Sequence, residues 1–445
     1  TNAHKSKAIM MYPIVLAVAA ICVVDGRLVS LSTKKALETP GPVENAFSKW
    51  AVLAPARGEH DIQMRDTQTD EQIESFIMKP HWAKKDVPKV YVYDLPGYEI
   101  PKTIEGVFGR KETLSLVRGS VQSEMSVRVV DQYEADTMYM YYLKGSPYRT
   151  MNPDEADLFY VPLAHYHVGW GELNLKLNKT GPAIEENLPR MLHYLNRTTA
   201  NRHVQIAGHT GDIGCAYWYS QGPLLAPMYR LSLEHYANRG LKHYRSIIYP
   251  TVASGMDKQE VKKLMSAAAT GPRPYFIMSL FGLHGSAGAV ALRKNLHNQC
   301  TAGKKCLRDP VSAFEISTAS GRHGVYLKST FCLEPPGDSP SRKAILDVMI
   351  AGCIPVLFWK NQTELWPYHV KSWDQVSILI EPENHHKTID VLKAVSSERI
   401  QILQQNIIGL IPLLSYKPFG TNEDYDDAFE ATLVGLWQEI RTSSS

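Results

Sequence analysis

Cysteine is scarce in this chain: six in 445 residues, one of them, Cys22, inside an apolar run. No two cysteines stand at the close spacing of a structural zinc site, and the histidines do not cluster with them, which argues against a zinc module. Excess charge is missing as well. A formal net charge of +3 without any Lys/Arg run offers no polyanion groove, so no nucleic-acid partner is expected. The Gly-rich stretch Gly282-Leu283-His284-Gly285-Ser286-Ala287-Gly288 lacks Gly-x-Gly-x-x-Gly order, which disfavours a dehydrogenase but leaves an approach to a diphosphate, or a lid, open. One Asp-x-Asp occurs, Asp424-Tyr425-Asp426. It leads into the last predicted helix instead of following a strand, so it reads as an acidic helix start and not as a metal clamp. No convincing pair of carboxylates suggests a glycosidase, and no internal repeat suggests a solenoid. With 44% hydrophobic and 21% charged residues, the chain can bury one large core or two ordinary ones.

Long apolar runs are absent except at the start. Residues 9–24 are almost wholly apolar and follow Lys5 and Lys7. Spanning a bilayer takes about 17–25 residues, so this run is at the short end. Basic residues before it and none in excess just after it predict a cytosolic tail over 1–8, a signal anchor over 9–24 and a luminal remainder. A cleaved signal peptide shares that anatomy, and Pro13 argues against a buried core helix. Residues 25–87, with Pro40-Gly41-Pro42 and little periodicity, read as a stem. Asn178-Lys179-Thr180, Asn196-Arg197-Thr198 and Asn361-Gln362-Thr363 are glycosylation acceptors if luminal. In an oxidising compartment Cys300 and Cys306 could close a small loop, while Cys332 and Cys353 read as small buried side chains.

From residue 88 onward strands and helices alternate. Strand patterns at 90–93, 158–162 and 203–207 are interleaved with helical spacing at 121–142 and 184–196. After a connector near 254–274 the alternation resumes with a strand at 275–280 and a helix at 290–299. A strand at 376–380 and helices at 388–395, 397–414 and 427–441 complete it. Such alternation predicts α/β domains with mostly parallel sheets covered on both faces, one over 88–264 and one over 265–445.

The most informative stretch is Phe331-Cys332-Leu333-Glu334-Pro335-Pro336-Gly337-Asp338-Ser339-Pro340-Ser341-Arg342, followed by Asp347 and Gly352-Cys353-Ile354-Pro355-Val356. It predicts a buried strand, a loop, a helix over 342–351 and a second strand over 354–358. Such a unit aims backbone N–H groups and the positive helix end at its loop, which favours a phosphate. Arg342 adds a fork-shaped cation, and Ser339, Ser341 and the Gly337 backbone add donors. Asp347 is placed to accept from ribose hydroxyls; pairing with a nearby Lys or Arg is the plainer alternative. An ordinary βαβ unit whose Arg342 pairs with a local carboxylate explains the same residues equally well. An Arg342 buried away from the interdomain cleft, or committed to a neighbouring acid, would defeat the enzymatic reading. The loop His209-Thr210-Gly211-Asp212-Ile213-Gly214 ends a predicted strand, where open α/β sheets place ligands, so Asp212 or His209 is a candidate general base. A tight turn capped by the Asp explains the same residues. His165 and His167 fit packed core groups better than acceptor-side ones.

The stretch 331–356 resembles the signature of exostosin-like glycosyltransferases: Phe-Cys-Leu, Pro-x-Gly, Ser-x-Arg, an Asp-Ala helix and Gly-Cys-Ile-Pro-Val. Asp347-Val348 is a mild departure. Val90 to Pro96, Asn152 to Pro162, His203 to Cys215 and Arg293 to Cys300 match further blocks in order, over roughly 88–440. The resemblance implies a GT-B fold, with acceptor-side and donor-side Rossmann-like domains facing a cleft. It implies a type II Golgi membrane protein with inverting, metal-independent transfer of a sugar from a nucleotide donor, UDP-linked, to a polysaccharide or glycoprotein glycan. No cofactor is implied beyond that co-substrate. Arg293, matching the Arg of the family's helix, becomes a second candidate for the donor phosphates, though a surface helix Arg fits equally. Association with itself or with other glycosyltransferases stays open. So does a non-catalytic, glycan-binding or scaffolding role beside an active transferase.

Overall fold

The computed structural model describes residues 22–24, 27–29, 70–78, 81–95, 110–118, 121–130, 132–162, 190–208, 224–233, 243–302, 306, 318–421 and 423–443. The chain divides into two compact units, Thr1–Leu53 and Ala54–Ser445. In the first, β1 (Cys22–Val24) and β2 (Arg27–Val29) pair antiparallel. β1 is the tail of the apolar run; its residues 9–21 lie outside those described. Among the described residues no helix is long and apolar enough to cross a membrane.

The second unit opens with α1 (Asp70–Met78) and β3 (Val90–Val92), then β4 (Arg110–Arg118) and β5 (Val121–Val129). α2 (Ala135–Gly145), β6 (Arg149–Thr150), β7 (Leu158–Tyr160), β8 (His203–Ala207), β9 (Tyr229–Ser232) and β10 (Tyr244–Ser246) follow. β3 and β6–β10 form a six-stranded sheet in the order β10-β9-β8-β7-β3-β6, every pair parallel. Next come α3 (Lys258–Thr270), β11 (Tyr275–Met278), α4 (Ala287–Thr301), α5 (Ala319–Leu327) and β12 (Ser329–Leu333). α6 (Lys343–Ile350), β13 (Ile354–Leu357), β14 (Ile378–Leu379), α7 (Thr388–Lys393), α8 (Ser397–Leu410) and α9 (Ala428–Ser443) complete it. β11-β12-β13-β14 make a second parallel sheet. Two parallel α/β sheets are therefore present, as the alternation predicted.

Burial explains why these strands read so clearly. β12 and β13 are buried at every position, as expected of parallel strands covered on both faces. Pro355 cannot donate to a ladder, and it sits just before Val356, where β14 pairing begins.

Three expectations need correcting. The helical spacing at 121–142 conflates a strand with a helix: β5 pairs antiparallel with β4 over their full length, and α2 starts only at Ala135. Val121, Ser123, Met125, Val127 and Val129 alternate with more polar or charged residues, a period of two that was legible. The supposed connector at 254–274 is mostly α3, begun by a capping box in which Asp257 accepts from the Glu260 N–H and Glu260 accepts from the Asp257 N–H. Finally, the stretch read as a stem is packed from residue 70 onward. Ile73 and Ile77 of α1 are buried, Glu74 pairs with Lys258 and Lys262, and Lys84 pairs with Asp426 and Glu430.

α9 returns to the first sheet instead of closing the second. Tyr139 of α2 hydrogen-bonds Thr432 at 2.6 Å, and Glu439 accepts from Arg245 and Tyr229 as well as from Tyr368. Both cysteine pairs are joined, Cys300 to Cys306 and Cys332 to Cys353. The second bond ties β12 to the turn before β13, so these two are more than small buried side chains.

Candidate functional site

The loop after β12 leaves the sheet because of its composition. The Glu334 N–H still bonds the Val356 carbonyl at 2.9 Å, but Pro335 and Pro336 have no N–H to continue the ladder. Gln362, fully buried beyond β13, staples the loop down. Its Oε1 accepts from the N–H groups of Phe358 (2.9 Å) and Trp359 (3.0 Å), while Nε2 donates to the carbonyls of Glu334 (3.0 Å) and Pro340 (3.3 Å). The Gly337 N–H bonds the Ser339 carbonyl, and the Ser339 and Ser341 hydroxyls meet at 3.1 Å. α6 then begins with Arg342 as its N-cap, in extended backbone and without a side-chain cap. The strand, loop and helix stand where the pattern predicted, and no side chain of the N-cap residue caps the start of α6.

Arg342 is not an idle cation. Its Nη1 donates to Glu334 Oε2 at 2.7 Å and to the Pro335 carbonyl at 3.2 Å. This is the pairing that counts against a simple phosphate clamp. Both of these side-chain bonds use Nη1, and among the described residues Nε and Nη2 make none. Glu334 itself is 2% exposed. Burial pushes its carboxyl up to about 7, against the downward pull of the Arg342 charge.

Arg293 does not serve as a second phosphate cation here, because its donors are spent on carbonyls. Nε bonds Pro336, Nη1 bonds Gly282 and His284, and Nη2 reaches Pro335 at 3.4 Å. It clasps the Gly-rich loop to the loop after β12. Gly285, at φ +124°, lets the two loops touch: a Cβ there would come within 3.0 Å of the Gly337 carbonyl carbon. Asp347 is also engaged, accepting from Lys343 through both oxygens at 2.9 and 2.7 Å. The plainer alternative for Asp347 is thus the one seen.

The carboxyl ends of the two sheets approach each other at this loop. Tyr249, just beyond β10, donates to the Ser341 hydroxyl at 3.3 Å. The Trp366 N–H bonds Ser246 Oγ at 2.8 Å, and Trp366 is buried at φ 51°, a strained position for a bulky residue. On the first sheet, Asp212, His209, His165 and His167 lie outside the described residues. At the described end of β8, Gly208 abuts the Tyr133–Asp136 turn, where Glu134 and Asp136 are buried. His203 is a core group: its ring bonds the Tyr93 hydroxyl and the Thr199 carbonyl, and burial lowers its pKa to about 4.

Sequence reasoning missed Glu334, Gln362 and Tyr249. Glu334 was legible as a lone acid inside an apolar strand end. Tyr249 carries no local signal, since Ser341 lies 92 residues away, and Gln362 has local partners in Phe358 and Trp359 but reaches the donor-side loop only over 22 and 28 residues.

Residues 84–395 match the Exostosin GT47 domain. The "Probable xyloglucan galactosyltransferase GT17" of Arabidopsis thaliana is 26% identical over 330 residues, covering 70% of this chain and 71% of that one. From the same plant, "Xyloglucan galactosyltransferase XLT2" is 33% identical over 154 residues, 32% of this chain and 27% of its own. "Xyloglucan-specific galacturonosyltransferase 1" is 25% identical over 336 residues, 69% of this chain and 49% of its own. The chain thus spans about half or less of the last two. A glycosyltransferase of Rickettsia africae, solved as a crystal structure, covers 70% of this chain and 96% of its own, at TM-score 0.31 and 8% identity; that likeness carries no argument.

Proposed function

We propose a function from one premise: this chain belongs to the Exostosin GT47 family. It is a glycosyltransferase acting on a polysaccharide. The finer reading is inverting transfer from a UDP-sugar, with galactose or galacturonic acid as the sugar and a xyloglucan-like acceptor, the sugars and acceptor being those named for its relatives. The donor diphosphate binds at the uncapped start of α6, and the acceptor binds along the carboxyl ends of the first sheet. The two sheets meeting at Tyr249 and Ser341 support a GT-B arrangement for this reading.

The acceptor hydroxyl attacks the anomeric carbon as the bond to the diphosphate breaks. Its proton passes to a base on the first sheet's side, for which Asp212 and His209 remain the candidates. Charge developing on the departing diphosphate is met by Nε and Nη2 of Arg342 and the helix dipole, which lets the reaction run without a metal ion. Two disulfides support a luminal location, and with it the anchored Golgi topology.

The observation that carries the donor assignment is the uncapped helix start beneath a cation that bonds described residues through Nη1 alone. Arg342→Ala should cut transfer from UDP-sugars by two to three orders of magnitude, roughly the loss seen when a charge-stabilising donor is removed. Circular dichroism should show the variant folded. Undiminished turnover would place the donor elsewhere. Engagement of Arg342 by Glu334 and of Asp347 by Lys343 favours the second reading, a scaffold without nucleotide chemistry. Calorimetry with UDP separates the two, because a scaffold need not bind it.

A further inference from the structure

The pairing of Arg342 with Glu334 has a consequence for how a nucleotide enters. We propose that Glu334 is a positioning residue that exchanges its charge with the donor: it holds Arg342 while the site is empty, and takes up a proton from solvent when a nucleoside diphosphate claims the guanidinium. This rests on the donor site proposed above and adds to it a coupling between nucleotide binding and protonation.

The geometry leaves little alternative for two anions on one cation. Glu334 is buried at the end of β12, its carbonyl fixed by Gln362 and its N–H by Val356. With the backbone held on both sides, its carboxyl stays 2% exposed and away from water. Its one described ion-pair partner is Arg342, which also starts the uncapped helix that invites the phosphate. The other charged and titratable groups facing it offer no relief. Arg293 on α4 has its donors on carbonyls, and Asp347 on α6 adds negative charge that Lys343 already answers. Asp338 in the same loop is a further acid, and Tyr326 on α5 is held neutral by burial, then by the negative charge of Glu334 and Asp347. A diphosphate brings further negative charge beside a carboxylate that burial already raises to about 7. Like charges sharing a dry site titrate as a unit, and the cheaper state protonates one of them. The proton ends on a Glu334 oxygen, which then donates to a phosphate oxygen or a loop carbonyl. The transfer needs no other reactant.

The test is calorimetry of UDP, and of GDP in parallel, with the full chain at about pH 8, in buffers of different ionisation enthalpy. At that pH the empty site holds Glu334 mostly ionised. The buffer dependence should report uptake approaching one proton per nucleotide, falling toward zero at about pH 5.5, where Glu334 is already protonated. Glu334→Gln should bind with no uptake at either pH. Should that variant misfold, the pH dependence of the wild type decides alone. Binding without uptake at about pH 8, or unchanged uptake in Glu334→Gln, overturns the proposal while leaving the donor site standing. Failure of both nucleotides to bind removes the donor site, and the proposal with it.

Discussion

Gly352 and Arg342 stand at opposite ends of one helix and obey different constraints. Gly352 follows the C-cap of α6 at φ +66°, and a Cβ there would fall 2.6 Å from Arg273 Nη2 and 3.1 Å from Ala268. Arg273 is half-buried and donates to the carbonyls of Ala268, Tyr326, Ser329 and Ala351. It thereby answers the negative ends of α3, α5 and α6 together. The Gly of the Gly-Cys-Ile-Pro-Val block is accordingly structural, while the Arg of the Ser-x-Arg block is paired with Glu334 in the loop before the helix. Gly352→Ala should cost about 2 kcal/mol or more by chemical denaturation, through strained backbone and displacement of Arg273. Nucleotide affinity of the folded fraction should not change. A matching loss of affinity would mean that the far end of α6 also shapes the donor loop.

Among the elements, α9 is the one whose role exceeds its local sequence. Its Glu439 carboxylate accepts from Arg245 at 3.0 Å, Tyr229 at 3.2 Å and Tyr368 at 2.9 Å, and so joins the first sheet to the segment after β13. At its start, Glu430 accepts from Lys84 and Tyr148, while Thr432 meets Tyr139. Glu439→Ala removes the acceptor shared by Arg245, Tyr229 and Tyr368 in a half-buried place and should cost about 2 kcal/mol, read as a shift in the urea midpoint. A shift confined to measurement noise would show that solvent replaces the carboxylate freely. The capping box of α3 and the period-two alternation of β5 show the converse case, elements fully specified by local sequence but easily merged with their neighbours.

At the scale of the molecule, buried titratable groups set the response to acid. His203, His323 and His369 are each lowered to about 4, by burial above all. The unfolded chain therefore binds protons near pH 6.5 that the folded one refuses, and the stability they lend is lost as pH falls from about 6.5 toward 4. Glu334 and Asp427 act the other way, since burial raises both and the folded state protonates first. Three refusals against two acceptances leave a net acid destabilisation with a slope of about one proton between about pH 4.5 and 6.5. Thermal unfolding across that window should show it, and His323→Gln should flatten it. Stability rising on acidification would mean the carboxylates outweigh the histidines.

Sequence alone decided a good deal here. The apolar runs at 331–333 and 354–358, the Pro-Pro-Gly loop between them and the blocks matched from 88 onward announced parallel α/β sheets and a glycosyltransferase family. Strand periodicity, ring-locked prolines and a phosphate-ready helix start are local properties and need no distant partner. Tertiary structure decided which charges are spent. Nothing near Arg293 in the chain shows that its donors are claimed by carbonyls up to 43 residues away, nor that Tyr249 reaches Ser341 over 92 positions. A side chain's charge is written in the sequence, but its partner is chosen by packing. For that reason the strand–loop–helix unit could be read in advance and a local acid foreseen as an alternative partner for Arg342, while the choice of Glu334 was made by burial at the end of β12.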